Sequence, residues 1–389
     1  MNDSSVVFAI FVVFAGAAVL ATLALYARQA MIVAYIVVGV VLGPAGLGLV
    51  EDAHWIDEIA KIGIMFLLYL LGLNMVPAQL IQMLKEATLV TLGSSMTFFI
   101  AATGAAWALG FGLQDALVIG AAMMFSSTII GLKLLPTTAL HHQHMGQVMI
   151  SVLLLQDLLA ILVLLVLQGY GAPGGGVIAG MRELLALPLL IGIAYGFEHY
   201  VLEPLLTRFD QIHEYMFLLV IAWCLSIAQL AQVMGLSHEI GAFIAGVALA
   251  ACPASMFIAD SLRPLRDFFL ILFFFSLGAG LDLSLLRSTL APAAALAALA
   301  MVLKPWVFRQ LFLRSEETLK LATEAGVRLG QISEFSLLVA VLAMDVGALS
   351  RQASYVVQLA TVLTFVVSSY IIVMWYPTPI AVRDNLRQD

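Results

Sequence analysis

Hydrophobic residues along this chain run in blocks of about 20, separated by short polar intervals. Blocks of that length predict helices that cross a bilayer, because about 20 residues at 1.5 Å each match a hydrocarbon core of about 30 Å. Windows of this size place thirteen spans, at about residues 5–27, 30–47, 60–76, 87–109, 116–136, 146–168, 183–206, 213–234, 237–252, 267–283, 290–313, 320–344 and 352–375. The interval SMFIADSLRPLRD reads as the loop between the ninth and tenth. An odd number of spans puts the termini on opposite sides. With the C terminus inside, the cytoplasmic loops and span ends collect Arg28, Lys85, Arg208, Arg263, Arg266, Arg309, Arg314, Lys320, Arg383 and Arg387, against Arg182, Arg287 and Arg351 outside. That asymmetry follows the positive-inside rule and predicts an outside N terminus and a cytoplasmic C terminus.

The pattern also repeats. AYIVVGVVLG from Ala34 is similar to AFIAGVALA from Ala242, FLLYLLGLNM from Phe66 to FFSLGAGLDL from Phe274, and FSST from Phe125 falls opposite ISEF from Ile332 at nearly the same offset. An offset of seven spans turns the second copy upside down, the arrangement of transporters that rock around a site at mid-membrane. The expected organisation is a first repeat over 1–168, a linker and seventh helix over 169–212 opening on the flexible GYGAPGGG, a second repeat over 213–375 and a cytoplasmic tail over 376–389.

Composition agrees. Of 389 residues 63% are hydrophobic and 11% charged, and the mean hydropathy is +1.07, a balance that no water-soluble surface needs. The N-terminal block lacks a basic n-region and a clear cleavage site, so it reads as a first span and not a removed signal. Cys224 and Cys252 lie in or beside apolar blocks and form neither a disulfide framework nor a metal spacing.

Against this background one carboxylate stands out. In MISVLLLQDLLAILVLLV, residues 149–166, Asp157 sits beside Gln156 at what would be the bilayer centre, roughly 15 Å from either end. A charge there costs at least about 2.5 kcal/mol, so the residue marks an ion or proton path, unless it is a protonated acid gluing two helices together. Other polar groups fall at similar depth: Ser126, Ser127 and Thr128 in the fifth span, Lys304 in the eleventh, and Gln331, Ser333 and Glu334 in the twelfth. Hydroxyl and amide oxygens with one carboxylate suit K⁺ or Na⁺ at Asp157, and carbonyls freed by helix breaks add further ligands. Lys304 needs a partner, either Asp157 or Glu334, that would close the site without a cation; the alternative is a side chain snorkelling to the cytoplasmic face. Glu324 and Arg328 form an i, i+4 pair, read first as structural and second as a gate. His141, His142 and His144 read first as a solvated loop, with pH sensing or metal binding as alternatives. Phosphate-binding loops, HExxH and a dinucleotide fingerprint are missing, and Ser94 and Ser95 have no histidine base at their depth, so the chain is not read as an enzyme and no cofactor is expected.

On these motifs the chain resembles the second branch of the monovalent cation:proton antiporters, and within it the membrane domain of the Kef-type potassium efflux antiporters. The resemblance is carried by AYIVVGVVLGP, FSST, LLLQD, GAFIAGV, Lys304 and GQISEF, and covers essentially the whole chain. Gln-Asp at 156 and 157 is its most specific part, since related sodium antiporters tend to show Asp-Asp or Asn-Asp there. It implies an all-α, NhaA-like antiporter fold with a dimerisation domain, a mobile core domain, and fifth and twelfth helices unwound and crossing beside Asp157. It also implies a homodimer in the cell membrane, surrounded by lipid and without a nucleic-acid partner. Kef proteins continue into a nucleotide-binding regulatory domain that this sequence lacks. The chain is therefore expected to be a piece of a longer protein or to be regulated otherwise, for instance by a separate cytoplasmic subunit.

The function these residues predict is exchange of a monovalent cation, potassium first, for a proton. One carboxylate accepting either passenger gives 1:1 electroneutral exchange by elevator-type alternating access, unless Lys304 also releases a proton. The alternatives are a sodium/proton antiporter of the same fold, a cation channel without proton coupling, and a sodium-coupled carrier of an organic solute.

Overall fold

The computed structural model describes residues 6–27, 29–50, 54–73, 75, 77–133, 144–171, 177–281 and 285–378. Among these the regular secondary structure is helical: α1 (Val6–Tyr26), α2 (Met31–Leu42), α3 (His54–Leu73), α4 (Pro77–Ala108), α5 (Leu113–Met123), α6 (Thr128–Lys133), α7 (His144–Gly171), α8 (Val177–Phe197), a π-helical turn (Glu198–Leu202), α9 (Glu203–Arg208), α10 (His213–Val233), α11 (His238–Leu249), α12 (Ser255–Ala279), α13 (Leu286–Arg314), α14 (Leu319–Arg328), α15 (Glu334–Asp345) and α16 (Arg351–Trp375). Seven of them are long and apolar enough to cross a membrane. Their starts are written locally. Ser237, Thr318, Ser333 and Ser350 sit at helix N-caps and accept the amides of Ile240, Leu321, Phe335 and Ala353, at 3.3, 3.4, 3.1 and 3.3 Å, relieving the donors that a first turn leaves over.

Two boundaries correct the sequence expectation. SMFIADSLRPLRD is not a loop but the first half of α12, which begins twelve residues before the expected span. Its apolar residues Ile258, Ala259 and Leu262 share a buried stripe while Arg263 pairs with Asp260 at 3.2 Å on the exposed face, so the segment is an amphipathic helix too polar for a hydropathy window. Likewise α4 starts at Pro77, ten residues early, a position that a proline tolerates because its missing N–H has no helical partner there.

The chain divides into two compact units, each drawing on both halves of the sequence. The first comprises Met1–Ala18, Tyr35–Gln82 and Ala172–Gly280. Here α3 runs along α11 and α12, and α10 packs on α11. The contact of α3 with α11 is backbone on backbone at Gly246, where a side chain would collide with the Tyr69 carbonyl. Phe66 stacks on Phe269 with centroids 5.8 Å apart.

The second unit comprises Val19–Ala34, Met83–Gly171 and Leu281–Asp389. In it α13 lies against α14 and α16, and α15 against α5, α7 and α16. Its apolar core joins α4, α7, α13 and α14 through Val90, Phe98, Val152, Leu153, Phe308, Phe312 and Leu329, with Phe98 edge-on to Phe308 at 5.3 Å. The expected fifth and twelfth spans are both interrupted in this unit: α5 stops at Met123 and α6 resumes at Thr128, α14 stops at Arg328 and α15 resumes at Glu334.

Candidate functional site

Each interruption is built from residues that compete with helix. In residues 124–127, Ser127 turns its hydroxyl to accept the amide of Ile130 at 3.1 Å and so starts α6; in residues 329–333, Ser333 does the same for Phe335 and starts α15. Unwinding leaves amides and carbonyls exposed in the interior of an apolar unit, where each needs a partner. Gln156, Lys304 and Gln331, singled out in the sequence, are three of those partners.

The α7 side chains face the first break. Gln156 Oε1 accepts the amide of Ser126 at 3.0 Å, and Thr128 Oγ1 donates to Asp157 Oδ2 at 3.3 Å. Asp157 is 1% exposed, and Ser126, Ser127 and Gln156 are fully buried. Among the described residues no group bonds Asp157 Oδ1, Gln156 Nε2 or Ser126 Oγ. Glu334, at the first position of α15, is also buried.

Lys304 corrects an expectation. The sequence suggested a carboxylate partner, Asp157 or Glu334, yet the buried ammonium donates to two backbone carbonyls, Phe125 O of the first break at 2.5 Å and Gln331 O of the second at 3.2 Å. It also stands 5.1 Å over the ring of Phe98. The physical reason is the demand for donors: two breaks free several carbonyls at once, and an ammonium with three N–H groups can serve both. Packing sets its depth. Pro305, the next residue, rests on Gly326 of α14, where an added Cβ would stand 2.7 Å from the Pro305 carbonyl.

A second link between the breaks comes from Gln331, whose Nε2 donates to Ser127 O at 3.3 Å. Ser336 of α15 donates to the Ala122 carbonyl at the end of α5. The breaks are therefore one polar structure stapled by Lys304 and Gln331. Glu324 and Arg328 do form their pair, with Nε and Nη2 of Arg328 at 3.0 and 2.8 Å from Glu324 Oε1, and Arg328 Nη2 also donates to Pro377 O at 2.7 Å. His141 and His142, and the side chain of His144, lie outside the described residues.

Sequence reasoning missed the contribution of α16. Thr364 accepts the Ile332 amide at 3.1 Å and Ser368 donates to Gln331 Oε1 at 3.1 Å, both buried. The signal was present as a polar stripe, Ser354, Gln358, Thr361, Thr364 and Ser368, recurring every three or four residues in an otherwise apolar helix.

Residues 9–376 match the family described as "Sodium/hydrogen exchanger, transmembrane", and the chain belongs to that family of cation:proton antiporters. It is 31% identical over 352 residues, 87% of its length, to a protein of Alkalimonas amylolytica named as a KefB-type potassium efflux antiporter, and covers 52% of that protein. It is 28% identical to K(+) efflux antiporter 5 of Arabidopsis thaliana, over 79% of this chain and 56% of that one, and 28% identical to the iron transporter MagA of Paramagnetospirillum magneticum, over 88% and 79%. The chain thus spans about half the length of these potassium efflux relatives. The fold is similar to that of the sodium proton antiporter MjNhaP1 from Methanocaldococcus jannaschii, with a TM-score of 0.71 at 15% identity over 94% of this chain and 95% of the other.

Proposed function

We propose that the protein exchanges a monovalent cation, potassium by preference, for a proton at Asp157. The observation that carries this reading is the unshared oxygen: Asp157 Oδ1 is buried and unbonded, as are Ser126 Oγ and Gln156 Nε2, where α7 meets the first of two linked helix breaks. A buried carboxylate without a partner costs several kcal/mol, so it must be neutralised. Lys304, committed to carbonyls, is not its counter-ion in contact. A proton or a cation serves equally as neutralising charge, and the two therefore compete for one acid.

The cation is met by Asp157 and by Ser126, Ser127, Thr128 and Gln156, while Gln331, Ser333, Glu334 and Lys304 hold the breaks and set the surrounding charge. Either occupant lets the unit that contains the site move through the bilayer as a body, in 1:1 electroneutral exchange, whereas a bare charge would face a prohibitive penalty. Glu324 and Arg328 brace α14 during that movement. A pair of inverted repeats crossing the membrane thirteen times fits the reciprocal packing in the first unit, where α3 lies against α11 at Gly246 and α2 against α12 at Gly278. In this reading the protein is a homodimer of the cell membrane with its C terminus in the cytoplasm. Potassium is preferred because the potassium efflux antiporters named above are 31% and 28% identical to this chain and because Gln, not a second acid, precedes Asp157.

The test uses proteoliposomes with a trapped pH dye and the voltage clamped by ionophore. An imposed potassium gradient should move protons through the wild-type protein, sodium less so, and Asp157→Asn should abolish the movement. Undiminished proton movement in that variant refutes the assignment, and cation flux without proton movement in the wild type selects the channel reading.

A further inference from the structure

We infer that Thr364 and Ser368 on α16 are positioning residues of this site, and that they govern which cation it takes; the inference rests on the exchange reading above. Neither residue needs to touch the cation. Each acts through the second break and Gln331.

The stripe on α16 separates into two kinds of residue. Ser354 donates to the Ala340 carbonyl and Thr361 to the Val357 carbonyl of its own helix, ordinary ways for buried hydroxyls to be satisfied. Thr364 differs because its hydroxyl has two fixed duties. Its proton goes to Thr361 O at 2.8 Å, so its oxygen is left to accept the Ile332 amide at 3.1 Å. That amide lies in the middle of the second break and is the donor that the lost helical turn left over.

Ser368 completes a directional chain. The Ser127 carbonyl can only accept, so Gln331 must present Nε2 to it, at 3.3 Å. Its Oε1 then points the other way in a fully buried environment and needs a donor, which Ser368 supplies at 3.1 Å. The backbone of the same residue accepts Lys304, which reaches on to Phe125 O. Through Gln331, α16 therefore controls two carbonyls, Phe125 O and Ser127 O, that flank Ser126. Both are held by donors and are not free to turn toward a cation. Oxygens left unbonded beside them are Ser126 Oγ and Asp157 Oδ1. Loss of either α16 hydroxyl strands a buried polar atom and lets Gln331 reorient, which takes one of two donors from Ser127 O, the Gly131 amide at 3.2 Å being the other, and opens a lone pair of that carbonyl to the ligand set. Selectivity among alkali cations follows the number and spacing of such oxygens.

The experiment compares Thr364→Val, Thr364→Ser and Ser368→Ala with wild type in proteoliposomes, measuring KM and maximal rate for sodium, potassium and rubidium separately. Thr364→Val keeps the shape and removes the hydroxyl, and Thr364→Ser keeps the hydroxyl. One hydrogen bond corresponds to about fivefold in an equilibrium constant. Thr364→Val and Ser368→Ala should therefore shift KM for potassium about fivefold and move the sodium-to-potassium ratio, with maximal rates within about twofold of wild type, and Thr364→Ser should restore both values. A fall in maximal rate at unchanged KM and unchanged ion preference, as a merely structural role produces, overturns the inference, and so does a Thr364→Ser variant that behaves like Thr364→Val. The wild-type vesicles keep the two readings apart: absence of cation-driven proton movement there sinks the exchange reading, while an unshifted KM in the variants sinks only this one.

Discussion

Replacing Glu324 by leucine is a direct probe of how the second break is anchored. Arg328 is fully buried, and the Glu324 side chain is 10% exposed, so little solvent screening softens their interaction. Two charge-assisted bonds of 3.0 and 2.8 Å run to one carboxylate oxygen. At about 1.5–3 kcal/mol each they agree with the roughly 3–5 kcal/mol that breaking a buried ion pair costs, most of it the stranded charge. The guanidinium also donates to Pro377 O at 2.7 Å and stands 5.8 Å from the Tyr376 ring. At roughly 2–4 °C per kcal/mol for a unit of a couple of hundred residues, the thermal midpoint of Glu324→Leu should fall by about 10 °C. Arg328→Leu combined with Glu324→Leu removes both charges and should recover at least about half of that loss. The assay is unfolding followed by intrinsic fluorescence in detergent, with transport measured in parallel. A midpoint within about 2 °C of wild type for the single variant, or a double variant less stable than the single, refutes the reasoning. A faster transport rate with unchanged stability would instead make the pair a gate.

Two further outcomes follow from the site. Lys304→Met strips the donor from Phe125 O and Gln331 O together, and each buried carbonyl left without a partner costs about 1–3 kcal/mol; the variant should lose both thermal stability and transport, whereas a contact pair with Asp157 would predict tighter cation binding when the lysine is removed. Gln156→Asp adds a second acid beside Asp157, so each cycle should carry an additional proton and exchange should become sensitive to an imposed voltage; exchange that stays voltage-independent contradicts the single-acid stoichiometry.

Much of this was legible in the chain itself, and the reasons differ by residue. Asp157 could be read because a mid-span carboxylate is expensive enough to need a purpose. The breaks are implied by the family resemblance at FSST and GQISEF, whereas the caps that Ser127 and Ser333 supply to the resuming helices are visible only in the structure. What could not be read was the partner of each polar group. Lys304 lies 179 residues from Phe125 in sequence, and a preference for carbonyls over carboxylates emerges only once two breaks are seen to meet. Ser368 and Thr364 carry no signal in the sequence that sets them apart from Thr361, which bonds its own helix, because the demand they meet is created by a distant unwound segment. The first half of α12 was misread for the opposite reason, since its charged face hid a buried stripe from a hydropathy window.

The central claim is that cation and proton displace one another at Asp157. Calorimetric titration of the purified protein with potassium, repeated in buffers of different ionisation enthalpy, counts the protons released per cation bound. The account predicts up to about one proton released, an apparent affinity that weakens as much as tenfold per pH unit on acidification, and neither effect in Asp157→Asn. Potassium binding that releases no proton at any pH, or that persists unchanged in Asp157→Asn, would contradict it.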